Sequence, residues 1–171
     1  MRTHWRTNLA RCVWGLALLL CAGAALAHKP SDSYLAIEVR GDRITGQWDI
    51  ALRDLEYAIG LDANGDGDIT WGEVRARHAD IAAYALARLA LRVDGRPCEL
   101  RPEAHLIDDH SDGAYEVLKF SAACPQGAHE PQALDIDYSL FFDFDAQHEG
   151  LLRLTADSAT VTGVFSADRK S

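Results

Sequence analysis

Long apolar runs are missing from this chain. The longest, Val13 to Leu26, falls short of the roughly 20 residues that a membrane-spanning helix requires. Basic residues are scarce, with 17 Lys and Arg against 26 Asp and Glu. Such a balance disfavours nucleic acid and anionic lipid surfaces, which need clustered positive charge. Cysteines number four, and no pair has the C-x-x-C spacing of a redox dithiol. Also absent are G-x-S-x-G, H-E-x-x-H and a phosphate-cradling glycine loop. Without an obvious nucleophile or acid–base motif, the chain is not expected to be an enzyme. It contains no internal repeat, low-complexity tract or linker, so one domain is expected after the N-terminal segment.

That segment has the three parts of an export signal. Arg2, Arg6 and Arg11 make a basic start, Val13 to Leu26 an apolar centre, and Ala25-Leu26-Ala27 a small-x-small cleavage site. Two other readings are an uncleaved N-terminal anchor and a lipoprotein carrying its lipid on Cys21, although Leu20 stands where a small residue is expected. Cleavage after Ala27 divides the chain into a signal peptide, 1–27, and a domain, 28–171, and leaves His28 first. The domain keeps 144 of the 171 residues and loses three of the 17 basic ones, for a net charge of −12. Periplasmic or secreted localisation follows. Cys98 and Cys124 then remain as an even pair in an oxidising compartment and are expected to form a disulfide.

Alternation and turn signals dominate the rest. Tyr34 to Val39 and Ile44 to Leu52 read as a hairpin around Gly41-Asp42. "LALRV" and "CEL" flank Asp94-Gly95, and "AHLID" and "YEVLKFSA" flank "DHSDGA". "LDIDYSLFF", "LLRLT" and "TVTGVFS" add further strands, about eight in all. Helical spacing appears only in the middle. Leu55, Ala58 and Ile59 share one face, as do Val74, His78, Ile81, Ala82, Ala85 and Leu89. The expectation is a mainly β fold, an antiparallel Ig-like β-sandwich with a helix–loop–helix inserted at about 53–90.

The loop between those helical stretches is "DANGDGDITWGE", Asp62 to Glu73. An EF-hand loop places oxygen ligands at positions 1, 3, 5, 7, 9 and 12 and glycine at 6. These are Asp62, Asn64, Asp66, Asp68 (through its carbonyl), Thr70 (through water) and Glu73, with Gly67 at the sixth position. Ile69 is the apolar residue expected at the eighth. Calcium is a hard cation that takes six to eight oxygens, and alternating side chains can all turn inward toward it. Calcium is therefore the expected ligand; the plainer reading is an ion-free turn rich in Asp and Asn. "DDHSDGAYEVLK" from Asp108 mimics the motif, but its twelfth residue is Lys119 and its flanks are strands, so it reads as a hairpin turn. "FDFDAQHEG" puts Asp143, Asp145, Gln147 and Glu149 on alternate positions, a second oxygen site or a solvated loop.

Histidine offers a competing ligand set. His28, at a new N-terminus, can chelate nickel or copper through its amine and imidazole, with His110 or His148 as a partner. His78 reads as a packed or capping residue on the second helix.

Four segments together resemble a known group: "HKPSDSYL", "GQWDIALRDLEYAIGLDANGDGDITWGEVRARH", "DDHSDGAYEVLKF" and "LDIDYSLFFDFDAQHEGLLRL". They are similar to the exported N-terminal domain of bacterial HupE/UreJ-like membrane proteins. In that group a multi-helix membrane domain generally follows, and related proteins are linked to nickel or cobalt uptake. The resemblance implies a periplasmic module whose partner is a metal transporter or another envelope protein. No spanning segment follows in this sequence, so the chain is expected to be a stand-alone relative or the soluble part of a shortened reading frame. Only the loop ligands match a defined binding motif residue by residue.

Overall fold

The computed structural model describes residues 32–125, 133–157 and 159–171. The export signal, His28 and His129 lie outside the described residues. Among the described residues nine strands and three helices follow in order: β1 (Asp32–Arg40), β2 (Arg43–Ala51), α1 (Leu52–Ile59), α2 (Trp71–Ala76), α3 (His78–Leu86), β3 (Leu89–Val93), β4 (Arg96–Pro97), β5 (Glu99–His110), β6 (Gly113–Ala123), β7 (Leu134–Tyr138), β8 (Glu149–Ala156) and β9 (Ala159–Phe165). The fold is mainly β. No helix among the described residues is long and apolar enough to cross a membrane.

Six strands form a large sheet in the order β5-β6-β2-β1-β8-β9, and three form a smaller one, β4-β3-β7. The hairpins are those the turn signals mark. β1 and β2 pair antiparallel from Tyr34–Asp49 to Arg40–Arg43, and β5 and β6 pair antiparallel down to His110–Gly113. Asp94 and Gly95 both adopt positive φ between β3 and β4, the conformation of a tight hairpin turn.

The large sheet is mixed, which corrects the antiparallel expectation. β1 and β8 run parallel, with Leu35 beside Leu152 and Ile37 beside Leu154. A hairpin forces antiparallel neighbours, but β8 arrives from the small sheet after a series of turns, so no hairpin constrains it. A second correction concerns Leu89. It suits both a helical step from Ala85 and alternation with Leu91 and Val93. Pairing with β7, Leu89 opposite Tyr138 and Leu91 opposite Ile136, makes it strand, and the helix ends at Leu86.

One face of the large sheet carries the core. Leu35 and Ile37 (β1), Trp48 and Ile50 (β2), and Leu118 and Phe120 (β6) are all buried there. Leu91 and Tyr138 of the small sheet join the same cluster, with the Trp48 and Tyr138 rings 5.4 Å apart. Leu55, Val74, Ile81 and Ala85 add the buried sides of the three helices to that cluster. Cys98 and Cys124 are bonded, S–S 2.00 Å, and clasp the start of β5 to the end of β6.

Candidate metal centres

The acidic loop connects α1 to α2 and is fastened at both ends by buried apolar residues. Leu61, just before it, and Val74, just after it, are fully buried. The Glu56 carboxylate accepts the backbone N–H groups of Leu61 and Asp62, the latter at 2.7 Å. Arg77 donates to the Ile59 carbonyl at 2.8 Å and so satisfies the end of α1. Between these anchors most side chains are exposed, with Asp62, Ile69 and Glu73 half-buried and Ile69 packed against the core.

Within the loop, backbone N–H groups orient the acids. Asp62 accepts from Gly65 at 2.7 Å and from Gly67 at 2.8 Å. Asn64 accepts from Asp66, and Asp66 accepts from Asp68. Gly67 has φ +88°, a left-handed turn that side chains resist and that the sixth loop position requires. Thr70 and Glu73 form a reciprocal cap on α2, and the other Glu73 oxygen reaches back 3.0 Å to the Ala63 N–H. The Gly67 N–H, with that of Gly65, holds the Asp62 carboxyl below its ordinary range. Thr70 does the same to Glu73 through its backbone N–H and then its hydroxyl. Both acids are therefore anionic at neutral pH. Five of the six predicted ligand residues lie between α1 and α2, and Glu73 lies in the first turn of α2.

The other sequence candidates separate. Asp143 pairs with Arg88 at 3.2 Å, and Asp145 caps its own turn by accepting the Gln147 N–H. The run from Asp108 is the β5–β6 hairpin. His110 lies 3.4 Å from Asp49 and stacks on Tyr115, whereas His148 is buried against Tyr138.

A cluster not anticipated from the sequence lies beneath α3. His78 (start of α3), His105 (β5) and Glu116 (β6) each offer one ligand atom, all within 4.8 Å of one another. Among the described residues no other three or more His, Cys, Asp or Glu side chains converge so closely. The imidazoles stack with centroids 4.2 Å apart and 9° between planes. His105 Nδ1 lies 2.5 Å from Glu116 Oε1. Glu116 is fully buried, and its Oε2 and His78 Nε2 have no hydrogen-bond partner among the described residues. Burial pushes the Glu116 carboxyl up to about 7. Burial also lowers both imidazoles, with His105 and Arg75 lowering His78 further.

Two sequence signals pointed to this cluster. In "YEVLKF", Glu116 alternates onto the same face as the core residues Leu118 and Phe120, where an apolar residue belongs. His78 occupies an apolar helical stripe. What the sequence could not supply is the β5 register, which sets His105 diagonally across from Glu116, with Ile107 directly opposite it. No protein-family model and no curated protein matches the chain.

Proposed function

We propose that the segment from Asp62 to Glu73 is a calcium-binding EF-hand loop in an exported protein. The ligands are Asp62, Asn64, Asp66, the Asp68 carbonyl, Thr70 through water, and Glu73. One observation carries the reading: oxygen donors stand at loop positions 1, 3, 5, 7, 9 and 12, with a left-handed glycine at 6, the first five between α1 and α2 and the last in the first turn of α2. A hard divalent cation suits this all-oxygen set, and it would neutralise four carboxylates crowded onto twelve residues.

The role is structural. The loop is pinned to buried Leu61 and Val74, so an ion ordering it would hold the helical segment on the paired sheets, which close on one core as a sandwich would. A sensor would need an element that opens, usually with a paired site. The Cys98–Cys124 bond and the N-terminal sequence support export to the periplasm or beyond. The resemblance to HupE/UreJ-like exported domains supports an envelope partner associated with metal transport.

The test uses Trp71, loop position 10 and 44% exposed, as a built-in reporter. Calcium added to chelator-stripped protein should change tryptophan emission saturably. Asp62→Ala and Glu73→Gln should abolish the response without altering the circular dichroism spectrum. A response that persists in both variants would refute the loop as the site.

A further inference from the structure

The core face of β6 is apolar from Leu118 to Ala122, yet it carries Glu116 in the same row. A carboxyl group taken out of water costs several kcal/mol unless it is paired or coordinated. Here one oxygen meets His105 and the other meets nothing among the described residues. His78 Nε2 is equally buried and without a hydrogen bond among those residues. Orphaned buried polar atoms are rare in native proteins, and two in one cluster call for a common explanation. A small cation at their centre would satisfy both.

Two imidazoles and one carboxylate are not a calcium set, because calcium takes oxygen. They are one of the sets that hold zinc with three protein ligands, and imidazole equally suits copper and nickel. The frame is rigid. His105 and Glu116 stand on neighbouring antiparallel strands whose local register is fixed by the seven residue pairs from Ala104–Lys119 to His110–Gly113, and beyond a bulge after Pro102 the Cys98–Cys124 bond clasps the same two strands. His78 is delivered from above, where the chain bends at Arg77 (φ −105°, ψ 8°) between α2 and α3. The Trp71 ring, 5.3 Å from the His78 ring, covers it.

We propose that His78, His105 and Glu116 form a binding site for one divalent transition-metal ion of the zinc, copper and nickel class. The site is separate from the acidic loop and does not depend on that loop binding calcium. It also differs from an N-terminal chelate at His28, since none of its three ligands comes from that segment.

The experiment is a calorimetric titration of Zn2+ into the chelator-stripped full chain, repeated with single variants. One Zn2+ per chain should bind. His78→Gln and His105→Gln should each weaken binding by roughly 100-fold or more, beyond the 10–100-fold typical of residues that only orient a ligand. Glu116→Gln, of nearly equal volume, should do the same. Circular dichroism and thermal melting establish that each variant is folded, and the half-buried histidine variants keep the test decisive if Glu116→Gln is not. Asp62→Ala should leave zinc binding unchanged whether or not it abolishes calcium binding, so the two sites fail independently. Co2+ in place of Zn2+ should give a visible absorption band that the same variants remove. Absence of saturable zinc binding, binding indifferent to both histidine variants, or binding lost on His28→Ala alone would overturn the proposal.

Discussion

Tyr138→Phe tests how the two sheets are held together. The Tyr138 hydroxyl lies 2.6 Å from Ser33 Oγ on β1 and 2.8 Å from His148 Nε2 before β8. Ser33 in turn accepts from the Trp48 indole of β2 at 3.3 Å. One phenol on the small sheet is therefore bonded to groups on the large one. Burial pushes its pKa up, so it stays a neutral donor and acceptor at every physiological pH. Phenylalanine keeps the ring contacts with Trp48 and Phe165 but removes both hydrogen bonds. Each neutral bond contributes about 1 kcal/mol net, and the buried groups that lose their partner raise the cost, so the loss should be about 2–3 kcal/mol. For a domain of this size that lowers the melting temperature by roughly 6–10 °C. Guanidinium unfolding followed by fluorescence measures it. Gly150→Ala should act on the same ring from the other side, because a Cβ there would lie 2.6 Å from Tyr138 Cζ. A change below about 0.5 kcal/mol for Tyr138→Phe would refute the reasoning. It would mean that ring packing alone joins the sheets.

Asp54, in the first turn of α1, is partly buried and raised to about 6, chiefly by burial. Its folded-state pKa exceeds the unfolded value, so its contribution to stability is full below about pH 4 and is lost as pH rises through about 6. Asp54→Asn should flatten that decline and, discounted for solvent screening of this partly exposed group, stabilise the protein at pH 7.5 by about 1–2 kcal/mol, read from melting temperature against pH. Parallel pH curves for the two proteins would count against this. The Cys98–Cys124 bond closes a 26-residue separation, and its loss should cost about 3.5 kcal/mol in the chain-entropy model. Melting with and without reductant, with Cys98→Ser/Cys124→Ser as control, measures it; insensitivity to reductant would show that the bond constrains little.

Local features of this fold were legible in the sequence, and non-local ones were not. The β1–β2 hairpin, the Asp94-Gly95 turn and the β5–β6 hairpin follow from alternation and turn residues a few positions apart. The helices on either side of the acidic loop follow from 3.6-residue spacing. The cysteine pair followed from compartment and parity. The parallel β1–β8 pairing was illegible, because the direction in which β8 joins β1 depends on the whole chain path between them. Leu89 was ambiguous for a physical reason: its neighbours satisfy both periods, and only β7 decides. The acidic loop is contiguous, so its ligand residues could be read in order. His78, His105 and Glu116 are brought together by tertiary structure; Glu116 and His78 each break an apolar pattern, but nothing in the sequence sets His105 beside them.

The central claim is that the loop from Asp62 to Glu73 binds calcium. The most direct measurement is a calorimetric count of calcium on the chelator-stripped chain, with zinc saturating any histidine site and magnesium as the competitor. One calcium should bind per chain, selected over magnesium, with a dissociation constant at or below about 1 mM, as befits an extracellular oxygen site. At ten times that constant, calcium should add about 1.4 kcal/mol of stability. No calcium uptake at millimolar concentration would contradict the account and leave the loop an Asp-rich turn.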